Sequence, residues 1–217
     1  VVMCSGKIYF DLIEAREKIK NDEVFIIRIE QLYPFPVKTL ASELKRFKKA
    51  GVNWLCLGIE AGNRVVRQEI SKGSFKDVKV EQIVKDVQDE DISILGNYIF
   101  GFPHDTLETM QQTLDLALEL NTEHANFYAC TALPGSALYY QAKEKGWYIP
   151  SSTKYEEFAF LSYEHIPLPT NTISAAEVLR FRDNAWNEYF SKNLFPDNYI
   201  QKTVIHKTPY VASYVFV

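Results

Sequence analysis

Trp54-Leu55-Cys56-Leu57-Gly58-Ile59-Glu60-Ala61-Gly62-Asn63 is the stretch on which the fold turns. Its first residues form a short apolar run ended by a glycine-bearing turn, and Asn53 to Ile59 therefore reads as a buried strand. Downstream the pattern alternates. Val78 to Gln88 has helical spacing, Ile92 to Phe102 is a second strand, and Leu107 to Leu120 is a strongly amphipathic helix. Asp105 is the expected N-cap of that helix, with Glu108 three residues on. Ala125 to Thr131 is a third strand and Ser136 to Lys145 a further helix. Strand–helix units of this length predict a parallel sheet with right-handed crossovers, open or part of a barrel.

Upstream, Val1 to Cys4 is a short apolar run, followed by a helical pattern carrying Leu12, Ile13, Ala15 and Ile19. Val24 to Ile29 is rich in β-branched residues and reads as a strand. Tyr33-Pro34-Phe35-Pro36 stops it, because neither proline can donate to a ladder. Val37 to Lys49 is a helix with Leu40, Leu44 and Phe47 on one side, ended by Ala50-Gly51. Beyond Gly146-Trp147 the character changes. Residues 148–170 are rich in Tyr, Ser and Pro and read as an ordered loop, and Ser174 caps a last helix carrying Val178, Phe181 and Trp186. Pro209 to Val217 is apolar and uncharged, a strand that would be sticky if exposed. The fold class is thus α/β: parallel strand–helix units in an incomplete half barrel or open sheet, with an α-helical C-terminal extension.

Of the 217 residues, 47% are hydrophobic and 24% charged, the composition of an ordinary globular chain. A net charge of -4, with basic residues interleaved among acids, gives no reason to expect nucleic acid as a partner. No apolar run approaches the roughly 20 residues of a membrane span. The opening Val1-Val2-Met3-Cys4-Ser5-Gly6 lacks the form of a signal peptide and reads as the start of a segment cut from something longer. Cys4, Cys56 and Cys130 are odd in number and far apart, which points to reduced, cytoplasmic thiols.

Ligands of parallel α/β folds gather at the carboxyl ends of the strands, and three such ends carry unusual residues. Glu60, beside Gly58 and Gly62, can accept hydrogen bonds from a ribose or an ammonium group; the commoner role of such an acid is a solvated helix cap. Gly96 and Gly101 flank Asn97, Ile99 and Pro103, so that a flat ring could lie on the backbone, although close helix packing explains such glycines more often. Ala132-Leu133-Pro134-Gly135-Ser136 turns into a helix N-terminus, which most often is only a helix start. His104, His124, His165 and His206 have no metal-ligand spacing.

Together, Trp54 to Asn63, Ile70-Ser71-Lys72-Gly73, Gly96 to Asp105, Leu133 to Ser136, Pro167-Leu168-Pro169-Thr170 and Glu177 to Asp183 resemble the radical S-adenosylmethionine enzymes. The closest likeness is to the group that often also binds cobalamin, and it covers residues 50–200. It implies that the strands ending at Glu60, Gly101 and Thr131 are the last three of a six-stranded partial barrel. It implies further that Glu60 faces the methionine or ribose part of S-adenosylmethionine, that Lys72 approaches its carboxylate, and that Asn97, Ile99, Gly101 and Pro103 lie along the adenine. The family's Cys-x-x-x-Cys-x-x-Cys, which holds a [4Fe–4S] cluster, is missing from this sequence.

Residues 1–49 resemble a different protein. Met3 to Leu12 and Arg28 to Pro36 are similar to the C-terminal domain of the thiamine-dependent subunit of 2-oxoglutarate dehydrogenase, a transketolase-type unit. The two resemblances meet near Leu44 to Ala50. They divide the chain into a βαβα segment (1–49), a half barrel (50–146) and a loop with a helical extension (147–217). The expected function is a truncated radical S-adenosylmethionine-type domain, lacking the cluster motif, that binds S-adenosylmethionine or a nucleoside weakly and is not catalytic alone. The alternatives are an assembly fragment of the dehydrogenase subunit and a hybrid chain without function. Thiamine diphosphate is not expected, and cobalamin and the oligomeric state are not assigned by these residues. The expected partner is a complementary front-half chain; nucleic acid and membrane are not.

Overall fold

The computed structural model describes residues 2–4, 8–20, 26–28, 44–70, 79–151, 154–192 and 215–216. Strand β1 (Val2–Cys4), helix α1 (Ile8–Lys18) and strand β2 (Ile26–Arg28) form a first unit in which β1 and β2 pair in parallel, Met3 opposite Ile27. Helix α2 is described over residues 44–49. It ends as glycine-terminated helices do. Gly51, at φ +88°, donates to the Lys48 carbonyl and Val52 donates to the Phe47 carbonyl. That reversal feeds β3 (Trp54–Glu60), the strand of the opening quotation.

From β3 the chain runs through α3 (Arg64–Ile70), α4 (Val80–Asp89), β4 (Ser93–Phe100), α5 (Leu107–Leu120), β5 (His124–Ala129) and α6 (Ala137–Glu144). A 3-10 turn at Tyr155–Phe158 interrupts the following loop, and α7 (Ala175–Lys192) is the long C-terminal helix. Strands β3, β4 and β5 make an open parallel sheet, with Cys56 opposite Leu95 and Leu95 opposite His124. Beyond β3 lies a two-residue strand, β6 (Val215–Phe216), parallel to Leu55 and Cys56. Of the apolar Pro209 to Val217 tail, only these two residues fall among those described.

One face of this sheet is packed. Ile94, Tyr98 and Phe100 of β4 and Phe127 of β5 are wholly buried, together with Met110 and Ala117 of α5 and Val178 of α7. Rings interlock across the layer: Phe127 stacks on Tyr98 and Phe100, and Trp186 and Tyr189 of α7 meet it edge-on. The apolar spacing of α4 (Ile83, Val84, Val87) and α5 (Met110, Leu114, Ala117) supplies the helical side of this core.

The start of α5 departs from expectation by one residue. Thr106, not Asp105, is the N-cap: its hydroxyl accepts from the Thr109 amide while the Thr109 hydroxyl accepts from the Thr106 amide. Asp105 lies under the turn instead. The expected Ser174 cap of α7 is present, in a reciprocal pair with Glu177.

Candidate functional site

The second face of β3–β5 is built differently. Along β4 burial alternates residue by residue, with Ser93, Leu95, Asn97 and Ile99 half-buried and their neighbours enclosed. Along β5, His124, Asn126 and Tyr128 alternate in the same way with buried Ala125, Phe127 and Ala129. Register places Asn97 beside Asn126 and Ile99 beside Tyr128. The result is a polar ladder. The Asn97 Oδ1 accepts from the Asn126 side-chain amide at 3.2 Å and from the Tyr128 hydroxyl at 3.3 Å. Parallel sheets are ordinarily apolar on both faces, so a polar row here marks a surface turned toward something other than a helix layer.

Glu60 ends β3 on a bulge. Gly58 pairs with Asn97 and Glu60 with Tyr98, leaving Ile59 as the extra residue. Ile59 is driven into the core, and Glu60 is held at φ +66°, a left-handed conformation rare for a non-glycine residue. Such a conformation costs about 1 kcal/mol. Glu60 is half-buried, and burial raises its carboxyl above the usual range. Burial raises the Tyr128 phenol, with a small addition from the Glu60 charge, and burial with the charges of Asp105 and Glu60 pushes the Cys130 thiol up to about 12. A strained, desolvated acid with no bonded donor among the described residues, at the carboxyl edge of a parallel sheet, is costly to keep.

The other expected site residues fall in different surroundings. Asn97 and Ile99 lie on the polar face with the ladder. Gly101, at φ +85°, faces the helix layer, where an added Cβ would come within 2.5 Å of Val178 Cγ1. Close packing thus accounts for this glycine. Pro103 is buried, and its carbonyl accepts from the Asn171 amide. Lys72 lies outside the described residues. Gly62 serves packing too: it sits against the backbone of Gln112, and its amide donates to Thr113 Oγ1.

Residues that the sequence did not single out complete the edge. His165 is buried; its Nδ1 faces the Phe160 carbonyl at 3.1 Å and its Nε2 lies 2.7 Å from Thr131 Oγ1. A carbonyl only accepts, so Nδ1 carries the proton and Nε2 accepts from the threonine. Arg182 of α7 donates to the same Phe160 carbonyl, and the Phe160 ring lies 5.2 Å from that of Tyr128. The 155–166 loop is thereby fastened beside the ladder. Burial, with Arg182 adding to it, holds the His165 imidazole below its ordinary range. The folded state therefore binds fewer protons than the unfolded state. This contribution is complete above the unperturbed value of about 6.5 and is lost as pH falls through the depressed one. His124 is depressed likewise, whereas Glu60 and Asp105 are raised and gain on acidification. Chemical denaturation between pH 7 and pH 5.5 is expected to show a shallower loss of stability in His165→Gln than in the unaltered chain; equal slopes would remove His165 from the account.

Comparison with known proteins separates the chain into two parts. Residues 1–56 match the 2-oxoglutarate dehydrogenase C-terminal family. The 2-oxoglutarate dehydrogenase E1 components of Brucella anthropi and Brucella ovis are each 57% identical over 54 residues, a quarter of this chain and 5% of theirs. The chain thus spans about a twentieth of the length of the curated relatives it matches. The family match runs past the expected boundary at residue 49 and into β3. Among solved structures, coproporphyrinogen III oxidase (HemN) from Escherichia coli, a radical SAM enzyme, is similar with a TM-score of 0.46 and 17% identity, over 81% of this chain and 37% of that one. That likeness is too loose to carry function.

No described helix is long and apolar enough to cross a membrane. Cys56 and Cys130 are free and buried, and the described residues contain no group of metal-ligating side chains.

Proposed function

We propose that the carboxyl edge of β3–β5 is a weak nucleoside site, of the kind that takes S-adenosylmethionine, centred on Glu60. The observation that carries this reading is the half-buried Glu60 on its left-handed bulge, with no bonded donor among the described residues. Asn97 and Ile99 extend the proposed site along β4, with only the backbone of Gly101 to Pro103 at its end, and Lys72 is proposed as the basic residue toward a carboxylate. A [4Fe–4S] cluster does not fit these residues. Three thiolates on one loop are required, and Cys4, Cys56 and Cys130 are spread across the sequence. The site as it stands binds; cleavage of the sulfonium would need a cysteine loop supplied from another stretch or another chain. The free thiols accord with a reducing, cytoplasmic setting. Isothermal calorimetry with millimolar S-adenosylmethionine tests the reading. Saturable heat is expected, weakened at least tenfold in Glu60→Gln; no heat at all, or an unaffected variant, removes it.

A second reading concerns residues 1–56 alone and is favoured by their 57% identity to the dehydrogenase E1 components. On this reading the segment makes assembly contacts like those of the subunit it resembles. Capture of the whole chain by the partner subunits of that complex is the expected result, and no capture dismisses it.

A further inference from the structure

One backbone oxygen of the 155–166 loop is shared by two basic side chains. The Phe160 carbonyl accepts from an Arg182 guanidinium nitrogen at 3.0 Å and from the His165 Nδ1–H at 3.1 Å. The Arg182 side chain is only 11% exposed and His165 is buried. On the far side of the ring, Nε2 lies 2.7 Å from Thr131 Oγ1, and the Ala129 carbonyl is 3.2 Å from that same hydroxyl. The two ends of the imidazole therefore answer a proton differently. At Thr131 a new Nε2–H donates to the hydroxyl oxygen while the hydroxyl hydrogen turns to Ala129, and every group keeps a partner. At Phe160 an imidazolium and a guanidinium would converge on one carbonyl in a buried setting, where like charges repel strongly. The surrounding groups do not offset this. Asp183 holds Arg182 Nε at 2.7 Å but is largely exposed. Glu157 is engaged by Lys154 and Tyr148, Glu164 by Ser162, and Tyr155, Glu156 and Tyr163 are exposed. On the strand side, Tyr128 and Cys130 are raised and so uncharged at neutral pH, and Arg182 is the charge that acts on His165.

We propose that the 155–166 loop is a proton-released strap: protonation of His165 frees Phe160 from α7 and lifts its ring off Tyr128, while His165 stays on Thr131. The Phe160 and Tyr128 rings lie 5.2 Å apart, so release bares the Tyr128 end of the polar ladder. The other anchors of the loop do not pass through the imidazole. Glu157 is held by Tyr148 and Lys154, and its carbonyl accepts from the Ile166 amide, so the strap opens at Phe160 and stays tethered on both sides. No ligand at Glu60 is needed, and the strap stands independently of the nucleoside reading.

The test is nuclear magnetic resonance of the whole chain, with nitrogen-15 in histidine and carbon-13 in phenylalanine and tyrosine, titrated from pH 7.5 to pH 5. The His165 ring nitrogens report its protonation, and the Phe160–Tyr128 ring cross-peak reports the strap. That cross-peak is expected to vanish at the pH where His165 titrates, while the Phe127–Tyr189 cross-peak of the core is kept. Arg182→Gln offers the Phe160 carbonyl an N–H without the charge. In it His165 is expected to titrate higher by at least about 0.5 pH unit, with the strap contact retained. In His165→Gln the contact is expected to persist throughout. A Phe160–Tyr128 cross-peak that outlasts the titration of His165 overturns the proposal with no variant needed. So does a His165 that fails to titrate above pH 5, or loss of both cross-peaks together. Release at the unaltered pH in either variant overturns it as well.

Discussion

Gly101→Ala is expected to destabilise the sheet by roughly 3 kcal/mol, which for a chain of this length lowers the melting temperature by about 10 °C. Two separate costs add. The first is conformational: Gly101 sits at φ +85°, where a Cβ is disfavoured by about 1 to 2 kcal/mol. The second is steric. The new methyl would meet Val178 Cγ1 at 2.5 Å and Cγ2 at 3.1 Å, and Val178 is wholly buried in α7. A β-branched residue in a helix has essentially one rotamer and cannot swing aside. The two costs can be told apart by a double-mutant cycle with Val178→Ala. That change should recover the steric part and leave the conformational part. A melting temperature within 2 °C of the unaltered chain would show that α7 does not pack here as described.

Asp105→Ala is expected to cost about as much, roughly 3 kcal/mol, and Asp105→Asn less than about 1 kcal/mol. Asp105 is 2% exposed. One carboxylate oxygen accepts from the Gly101 and Phe102 amides at 3.0 and 2.9 Å, and the other accepts from the Thr109 hydroxyl at 2.6 Å. Alanine leaves these donors buried without partners, and each costs about 1 kcal/mol or more. Asparagine keeps an oxygen for the two amides and presents an N–H to Thr109, whose hydroxyl can accept. It also removes a charge whose burial raises its carboxyl despite the three hydrogen bonds. Because the acid is raised, the folded chain binds more protons than the unfolded one. The penalty of the charged form is present at neutral pH and relieved as pH falls toward the ordinary carboxylate range. Thermal melts of both variants at pH 7 decide the matter, and equal losses in the two would mean that the hydrogen bonds are not what Asp105 contributes.

These two residues show what was legible in the sequence. The order of elements from β3 onward was readable, because apolar spacing switches cleanly between the two periods at Trp54, Val80, Ser93, Leu107 and His124. Glycines were harder. Gly101 and Gly62 signal a close approach in any sequence, but whether a ring or a helix approaches depends on which element packs there, and α7 arrives from more than seventy residues away. Asp105 reads as a helix cap because capping is decided within a few residues, and Thr106 satisfies the same local rule one position later. The alternation His124-Ala125-Asn126-Phe127-Tyr128-Ala129 states a half-wet strand, but nothing local to it marks Asn126 and Tyr128 as members of a site. Their partnership with Asn97 needed the register between β4 and β5, and His165 needed a loop that folds back over the end of β5. Glu60 was found from its place at a strand end; the bulge and the left-handed backbone that make it unusual are properties of the pairing with β4.

The central claim is that Glu60 is kept for a ligand at the expense of the fold. Glu60→Gly tests it most directly, with melting temperature and S-adenosylmethionine calorimetry on the same preparation. Glycine adopts φ +66° without strain and carries no desolvated charge. The account predicts a chain more stable by about 1 kcal/mol, melting roughly 2 to 4 °C higher, whose heat of S-adenosylmethionine binding is lost. A variant that melts lower than the unaltered chain and still binds would contradict it, and Glu60 would then be a residue that holds the sheet edge together.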